Sequence, residues 1–550
     1  MPSPNANDNF IAITVMSMGR PYPVFLWPHG GGYNFGASDN YDIDVQCDRV
    51  ARKGVMLINV SYRVGPFGFF TTDTSDAPGN YAVWDLLNAL KFTRKVIGSF
   101  GGDPDNIVLA GQGVGGALSS TLSYSPLSKG LYDKVMILGA TPLQPTISEH
   151  KDFYLEKNKR FAVDAGCATE ESWSAGSFGQ IVECLRRLPE KALNDATTAL
   201  ARGRSMFWHM TERDGDGGVL PRRFEELALE RRNVPVLTGS SKDEYAWDLV
   251  VAPSMRSRRL EIDETLLNSR AQVEKTCADI VKQGTFPSTV DRVREACVRY
   301  YQRPSGSQQS SRSLFYLDQA IRAGSSLIYH QPVFKDVDFY LRNSNPNVYL
   351  YSFDYRRNQS HPWWRAAGSF HNFELAFVED FMPGGKRMVL QGMSKKDILV
   401  ALHFFVVLFV TYRLYRFDSE SGADGEMTAL MSEVMTTFAK FGRPILRGTG
   451  RLDSFMVRVP VFASPTRRVG RRRRSPASFS ARQGRFQESI QTGGRFFRGS
   501  AAAVNGGASW TPVMPFFSRG YMSLSVPPQM KPFDYYHGED VAFWNGFGRV

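Results

Sequence analysis

A single glycine-dense turn constrains this chain more than any other feature. The apolar run Ile107-Val108-Leu109-Ala110 reads as a buried strand, and Gly111-Gln112-Gly113-Val114-Gly115 follows it directly. A helix-like stretch begins near Gly116. A strand that feeds a helix through so tight a turn needs backbone angles and close approaches that favour glycine. This is the setting of a nucleophile elbow, G-x-S-x-G, in which a serine hydroxyl is lifted clear of the chain. Here Gly113 stands at the apex. Glycine brings no oxygen that could attack a carbonyl, so the reading of function turns on this residue.

The flanking segments repeat the same strand-then-turn design. Val24-Phe25-Leu26-Trp27 reads as a buried strand and continues into Pro28-His29-Gly30-Gly31-Gly32-Tyr33. A glycine turn of that kind can present backbone N–H groups to a developing oxyanion. Residues 55–60 give a further strand and run into Ser61-Tyr62-Arg63-Val64-Gly65-Pro66-Phe67-Gly68-Phe69. Gly79-Asn80-Tyr81 opens a helix-like stretch that contains Asp85, Leu86, Ala89 and Leu90, and Phe100-Gly101-Gly102-Asp103-Pro104 leads into the elbow strand. Alternating strands and helices predict a mostly parallel central sheet covered by helices on both faces.

Four segments together, HGGGY at 29–33, NVSYRVGPFGF at 59–69, GNYAVWD at 79–85 and FGGDPDNIVLAGQGVGG at 100–116, resemble the type B carboxylesterase family, which includes cholinesterases and neuroligins. The resemblance implies an α/β-hydrolase fold in one large domain. It places Glu244, in Gly239-Ser240-Ser241-Lys242-Asp243-Glu244, at the position of the catalytic acid. His371, in Phe370-His371-Asn372-Phe373-Glu374-Leu375, takes the position of the catalytic histidine. The N–H groups of Gly31, Gly32 and Val114 take the oxyanion hole. Phe438-Ala439-Lys440-Phe441-Gly442, Trp510-Thr511-Pro512 and Phe543-Trp544 are similar to the family's C-terminal landmarks.

The resemblance also implies a disulfide between Cys167 and Cys184, and with it an oxidising compartment. Cys277 and Cys297 could pair as well, leaving Cys47 odd. Five cysteines carry no metal-ligand spacing, and neither a metal nor a cofactor is expected. Of two sequons, Asn59-Val60-Ser61 falls on a strand expected to be buried, which leaves Asn358 as the candidate glycan site.

The chain departs from the family pattern in several places. The pattern has a substantial portion ahead of the segment that Asp8-Asn9-Phe10-Ile11 matches, and Asn9 stands where that segment carries a cysteine. The chain is therefore read as N-terminally incomplete, and Met1-Pro2-Ser3-Pro4-Asn5 has no signal-peptide character. The hydrolase domain is expected over 8–445, interrupted by an apolar insertion at about 398–423. Within it, the fifteen residues from Ile398 to Tyr412 fall short of the ~20 that a membrane-spanning helix needs. An Arg/Gly/Ser-rich insertion follows over 446–507 and is expected to be disordered, and 508–550 completes the domain.

Charge is equally local. The 550-residue chain carries +12, yet residues 443–500 hold 14 arginines against Asp453 and Glu488. Setting those aside from the 66 Lys and Arg and the 54 Asp and Glu leaves 52 of each, so the remainder is formally neutral. The basic signal belongs to one segment, its aromatics follow no stacking pattern, and no nucleic-acid partner is expected.

With the nucleophile gone, the sequence points to a catalytically inactive member, similar to neuroligins and the gliotactin-like proteins. Such members act in adhesion or protein–protein interaction, outside the cell or at its surface. The partner is unidentified, and a homodimer is a further expectation of the resemblance. Two alternatives stay open: a carboxylic-ester hydrolase, if Gly113 is a sequence error or another nucleophile substitutes, and a small-ligand binder using the former gorge. Ser119 and Ser120 lie six and seven residues past the apex. At ~1.5 Å rise per residue they are displaced by about 9–10 Å along the helix, out of reach of the elbow.

Overall fold

The computed structural model describes residues 10–13, 21–39, 41–145, 151–201, 208–211, 213–253, 267–282, 286, 288–303, 314–356, 362–377, 422–446, 520–532 and 536–547. Seven runs of apolar and small residues form a parallel sheet, and an antiparallel strand closes each edge. In chain order the strands are β1 (Phe10–Ile13), β2 (Tyr22–Pro28), β3 (Met56–Val60), β4 (Gly102–Gln112), β5 (Lys134–Leu138), β6 (Val236–Ser241), β7 (Val348–Phe353), β8 (Gly520–Leu524) and β9 (Gln529–Pro532). Their order across the sheet is β1-β3-β2-β4-β5-β6-β7-β8-β9. Strands β3, β5, β6 and β7 are buried at every residue, as strands covered on both faces must be. This is the expected α/β-hydrolase architecture.

The order reverses direction at β2. From there the chain passes outward to β3, returns to lay β4 on the other side of β2, and then proceeds steadily to β9. A crevice opens at the carboxyl ends of strands flanking such a reversal, and ligands of open α/β sheets bind there. The two glycine-rich turns singled out above follow β2 and β4, so the topology sets them side by side.

Two helices matter most to that crevice. The first, α1 (Tyr81–Val96), buries Leu86, Leu87 and Leu90, and Asn80 caps it in the left-handed region at φ 55°. The second, α2 (Gly113–Tyr124), is buried on all sides except at Val114, so it runs through the core. It begins three residues earlier than the sequence suggested. Glycines contribute no apolar periodicity, and the stripe becomes visible only at Ala117. The close packing of Gly115 and Gly116 against neighbouring backbone nevertheless makes them helical. The elbow strand likewise extends beyond its apolar run, from Gly102 to Gln112.

Both disulfides are present, Cys167–Cys184 and Cys277–Cys297, and Cys47 is a free thiol. Asn59 is buried on β3 and exchanges amide hydrogen bonds with Gln46, which rules it out as a glycan site. Asn358 lies outside the described residues, as does Trp510-Thr511-Pro512. So does the apolar stretch at 398–423, except that Gly422 and Ala423 open the helix Gly422–Phe441. Of the Arg/Gly/Ser-rich stretch 446–507 only Leu446 is described. Among the described residues no helix is long and apolar enough to cross a membrane.

A second buried feature ties α2 to α3 (Gln331–Arg342). Arg231 is sandwiched between the rings of Tyr124 and Tyr340, at 3.9 and 3.5 Å, and pairs with Asp336 at 2.5 Å. Tyr124 donates to the same carboxylate at 2.6 Å, and Ser120 joins it at 3.4 Å. Ser119 donates to the Ala110 carbonyl at 2.8 Å. Both serines considered as substitute nucleophiles are thus committed to the helix's own packing.

Candidate active site

The elbow glycines are not equivalent. A Cβ on Gly111 would come within 2.7 Å of Gly115 backbone, one on Gly116 within 2.8 Å of the Gly111 oxygen, and one on Gly115 would collide with the Pro28 carbonyl. These three are glycine because the backbones of β2, β4 and α2 touch. Gly113 differs. Its Cβ would meet no backbone, only the tip of the His371 ring, with Nε2 at 3.2 Å, and Asn372 Oδ1 at 3.7 Å. Its φ of +55° lies in the left-handed region, which glycine accepts without strain. A side chain at the apex would therefore press on an imidazole nitrogen and not on backbone, with the ring yielding by a few tenths of an ångström.

His371 reaches that point from the loop after β7, and Glu244 comes from the loop after β6. His371 Nδ1 and Glu244 Oε2 are 2.6 Å apart, and Glu244 Oε1 accepts from the Ser241 N–H, also at 2.6 Å. Two loops separated by more than a hundred residues are pinned by backbone and side chain alike. The His371 N–H donates to the Glu244 carbonyl at 3.3 Å and the Asp243 N–H to the Ser369 carbonyl at 3.0 Å. Asp243 in turn accepts from the Ser369 N–H at 2.9 Å and from Arg356 at 2.7 Å. The ring orientation is thus over-determined, as a base that must keep one tautomer requires.

The glycine turn after β2 abuts the elbow. A Cβ on Gly30 would sit 3.3 Å from the Gln112 carbonyl, and one on Gly31, where φ is +122°, would collide with the Phe35 carbonyl. The N–H groups of Gly31 and Gly32 are bonded to no acceptor among the described residues, and Val114 occupies the first turn of α2, where backbone N–H groups lack intrahelical partners. His29 stabilises the turn from beneath. It stacks on Tyr62 at 4.3 Å, and Tyr62 donates to the His29 carbonyl at 2.8 Å. Burial drops the His29 pKa to about 4, so it is neutral near pH 7.

Sequence reasoning missed Glu374. It is fully buried, accepts from Ser241 Oγ at 2.8 Å, and lies beside Glu244: a Cβ on Gly139 would be 3.1 Å from one Oε1 and 3.2 Å from the other. An acid inside the aromatic run Phe370–Phe377 was the available signal. Burial, and then the charge of Glu244, push its carboxyl up to about 7. Burial raises Glu244 too, but two donors, Ser241 N–H and His371, favour its anion, so Glu374 is the member that holds a proton near neutrality. Burial lowers His371, opposed by Glu374 and Asp248.

A pH effect follows for Glu374. Its folded pKa lies above the usual value of 4.5, so its contribution to stability is complete below pH 4.5 and lost as pH rises through about 7. Glu374→Gln mimics the protonated form. Relative to the unmodified protein, the variant should match it at pH 5 and gain about 1–3 kcal/mol by pH 8, read from denaturant unfolding at both values. A constant difference between the two would show that Glu374 does not titrate in this range.

The chain supplies these parts in the order elbow, acid, histidine, which is the order of the α/β hydrolases. Within that class the chain belongs to the carboxylesterase family, whose model matches residues 9–456. It is 28% identical over 353 residues to gut esterase 1 of Caenorhabditis briggsae, covering 62% of this chain and 59% of that protein. It is 29% identical over 379 residues to acetylcholinesterase-1 of Trittame loki, covering 64% and 62%. The chain thus spans about three fifths of the length of these curated relatives. Among solved structures, juvenile hormone esterase from Manduca sexta superposes with a TM-score of 0.63 at 18% identity, covering 96% of this chain and 81% of that one, a likeness of fold. No cluster of potential metal ligands occurs among the described residues.

Proposed function

We propose that this chain is a non-catalytic member of the carboxylesterase family that acts by binding a protein partner, in the manner of the neuroligin- and gliotactin-like proteins, outside the cell or at its surface. One observation carries the reading: an acid–histidine pair is assembled around an apex that has no oxygen. Gly113, Glu244 and His371 are then the positions of a triad without its nucleophile, and Gly31, Gly32 and Val114 those of an oxyanion hole. Removing the nucleophile of such a triad typically leaves only about 10³–10⁴ over the uncatalysed rate. The two disulfides support an oxidising compartment.

Two measurements test this reading. The unmodified protein should turn over no short-chain chromogenic ester and take no label from an organophosphate; labelling would end the non-catalytic reading. Displayed on otherwise non-adhering cells, it should cause adhesion to cells that carry its partner. Failure across tissue types of the source organism would remove the adhesion role while leaving the loss of catalysis standing. The second reading, an ester hydrolase, is favoured by the names of the relatives and by the aligned His371–Glu244 pair. It requires that residue 113 be a serine or that another nucleophile take its place beside His371.

A further inference from the structure

We propose that two stacked histidines, His330 and His537, form a pH-released latch that holds the helix Gly538–Asn545 against the fold while both rings are neutral and frees it when they take up protons in acid. The latch does not depend on whether the site at Gly113 is catalytic.

A π turn, Ser326–His330, joins the helix Phe315–Ser325 to α3, and such turns recur at functional sites. Its last residue, His330, is buried and lies face to face with His537, the ring centroids 3.5 Å apart and the planes 11° from parallel. His537 immediately precedes the helix Gly538–Asn545 and holds a left-handed φ of 49°. A residue with a Cβ keeps that conformation only where its surroundings fix it. Tyr536 braces the stack from the side: its hydroxyl is 2.7 Å from Ser240 Oγ, and its ring packs on His330 and Tyr521 at 6.2 and 5.3 Å. Further along the helix, Asp540 pairs with Arg322 at 2.8 Å, Phe543 stacks on Tyr300 at 4.2 Å, and the Trp544 indole donates to the Tyr301 hydroxyl at 3.1 Å. Tyr301 is fully buried beneath this seam.

The partners of the two rings fix where their hydrogens sit. A carbonyl only accepts, so His330 Nε2, 3.0 Å from the Ser241 oxygen, carries the hydrogen and Nδ1 is bare. That Nδ1 is buried and has no partner among the described residues. His537 Nε2 lies 3.4 Å from Ser352 Oγ, whose own hydrogen goes to Asp354 at 2.6 Å, so His537 keeps its hydrogen on Nε2 too. A proton on His330 Nδ1 meets no acceptor, and a proton on each ring sets two cations face to face at 3.5 Å.

The charged groups around the pair are already engaged. Asp243, after β6, is bound to Arg356 at 2.7 Å; Asp354, after β7, is bound to Lys531 of β9 at 3.0 Å; Asp540 is bound to Arg322. Lys242 opposes a charge on either ring, and Glu539 lies in the first turn of the latched helix. Burial brings His330 down to about 4, and burial together with His330 and the cations Lys242, Arg322 and Lys531 holds His537 well below its usual 6.5. Once the helix is released, both rings return to the ordinary value. The latch is therefore complete above pH 6.5 and weakens as pH falls toward 4, each linked proton favouring release by about tenfold per pH unit. Burial raises Asp540, which acts in the opposite sense; one carboxyl against two imidazoles leaves at least one proton driving release. Acid thereby converts a sealed aromatic seam, Tyr301 against Trp544, into exposed surface.

The test is amide hydrogen exchange on the full chain at pH 6.5 and pH 5.0, read as protection factors after correction for intrinsic exchange. Protection of residues 541–545 should fall at least tenfold between the two, while residues 117–122 of α2 keep theirs. His330→Phe leaves a ring in the stack that cannot take a proton, and it should reduce the fall by about tenfold over the same interval, the share of one linked proton. Should that variant fail to fold, His330→Gln, which retains a donor for the Ser241 carbonyl, should do the same. A merely structural role for His330 would lower protection equally at both pH values and leave the difference between them unchanged. That outcome overturns the latch. So does protection of 541–545 that is insensitive to pH, or a fall shared equally by α2, which would mark global unfolding.

Discussion

Replacing Gly113 by serine should give this protein esterase activity that it otherwise lacks. The added Cβ meets only His371 Nε2, at 3.2 Å, so the ring must withdraw by a few tenths of an ångström and the hydroxyl then lies within hydrogen-bond reach of it. The remaining parts are in place: the ring is fixed through Nδ1 to Glu244, and the N–H groups of Gly31 and Gly32, in the turn beside the elbow, have no acceptor among the described residues. Loss of the nucleophile from a comparable triad removes about 10⁶ in kcat. Restoring it on a scaffold with small misalignments should return at least ~10³ of that on a short-chain nitrophenyl ester, with a burst of one equivalent and stoichiometric organophosphate labelling. The left-handed φ of +55° is unfavourable for serine, and the variant should be less stable by about 1–2 kcal/mol. His371→Ala in the serine background should erase the gain. A folded serine variant that neither labels nor turns over would mean that acid and histidine are held for packing alone.

The largest loss of stability should come from Arg231→Ala. The guanidinium is 1% exposed, its partner Asp336 is 3% exposed, and both faces of the cation are covered by tyrosine rings. Removing it strands a buried carboxylate and two unsupported rings, for which about 3–5 kcal/mol is expected. At roughly 2 cal/mol/K of unfolding entropy per residue, a domain of several hundred residues shifts its midpoint by only about 1 °C per kcal/mol, so the fall in Tm should be about 3–5 °C. The double variant Arg231→Ala/Asp336→Ala should lose less than the sum of the single changes, because the stranded charge goes with its partner. Additive losses would mean that the pair is not coupled. The pair lies among the packed residues of α2 and α3, so catalysis restored by Gly113→Ser should survive in the folded fraction of the single variant.

Much of the fold was legible because the sheet is built from short apolar runs bounded by glycine turns, a pattern local enough to read directly. Val24–Trp27, 55–60 and Ile107–Ala110 all became central strands. The start of α2 lies earlier than its apolar stripe because Gly115 and Gly116 are packed against neighbouring backbone, a tertiary contact that leaves no periodic trace in sequence. At the site, Gly113, Glu244 and His371 were located by motif, and the structure brings all three together. Glu374 and Asp243 were passed over because their importance lies in contacts across 133 and 126 residues, to Ser241 and Ser369. A motif announces which residue types occur, while a buried neighbour's effect on charge appears only when the loops are folded against each other.

The pairing of β7 with β8 has a consequence for how the polypeptide is made. β7 ends at Phe353, and the strand that covers its edge begins only at Gly520. On a ribosome adding about 5–20 residues per second, that edge stays open for roughly 10–30 s after β7 itself has been synthesised. An open strand edge is a template for pairing with another chain. Nascent molecules on one polysome would meet each other in that state, so production of this protein should depend on chaperone supply more steeply than its finished sheet suggests.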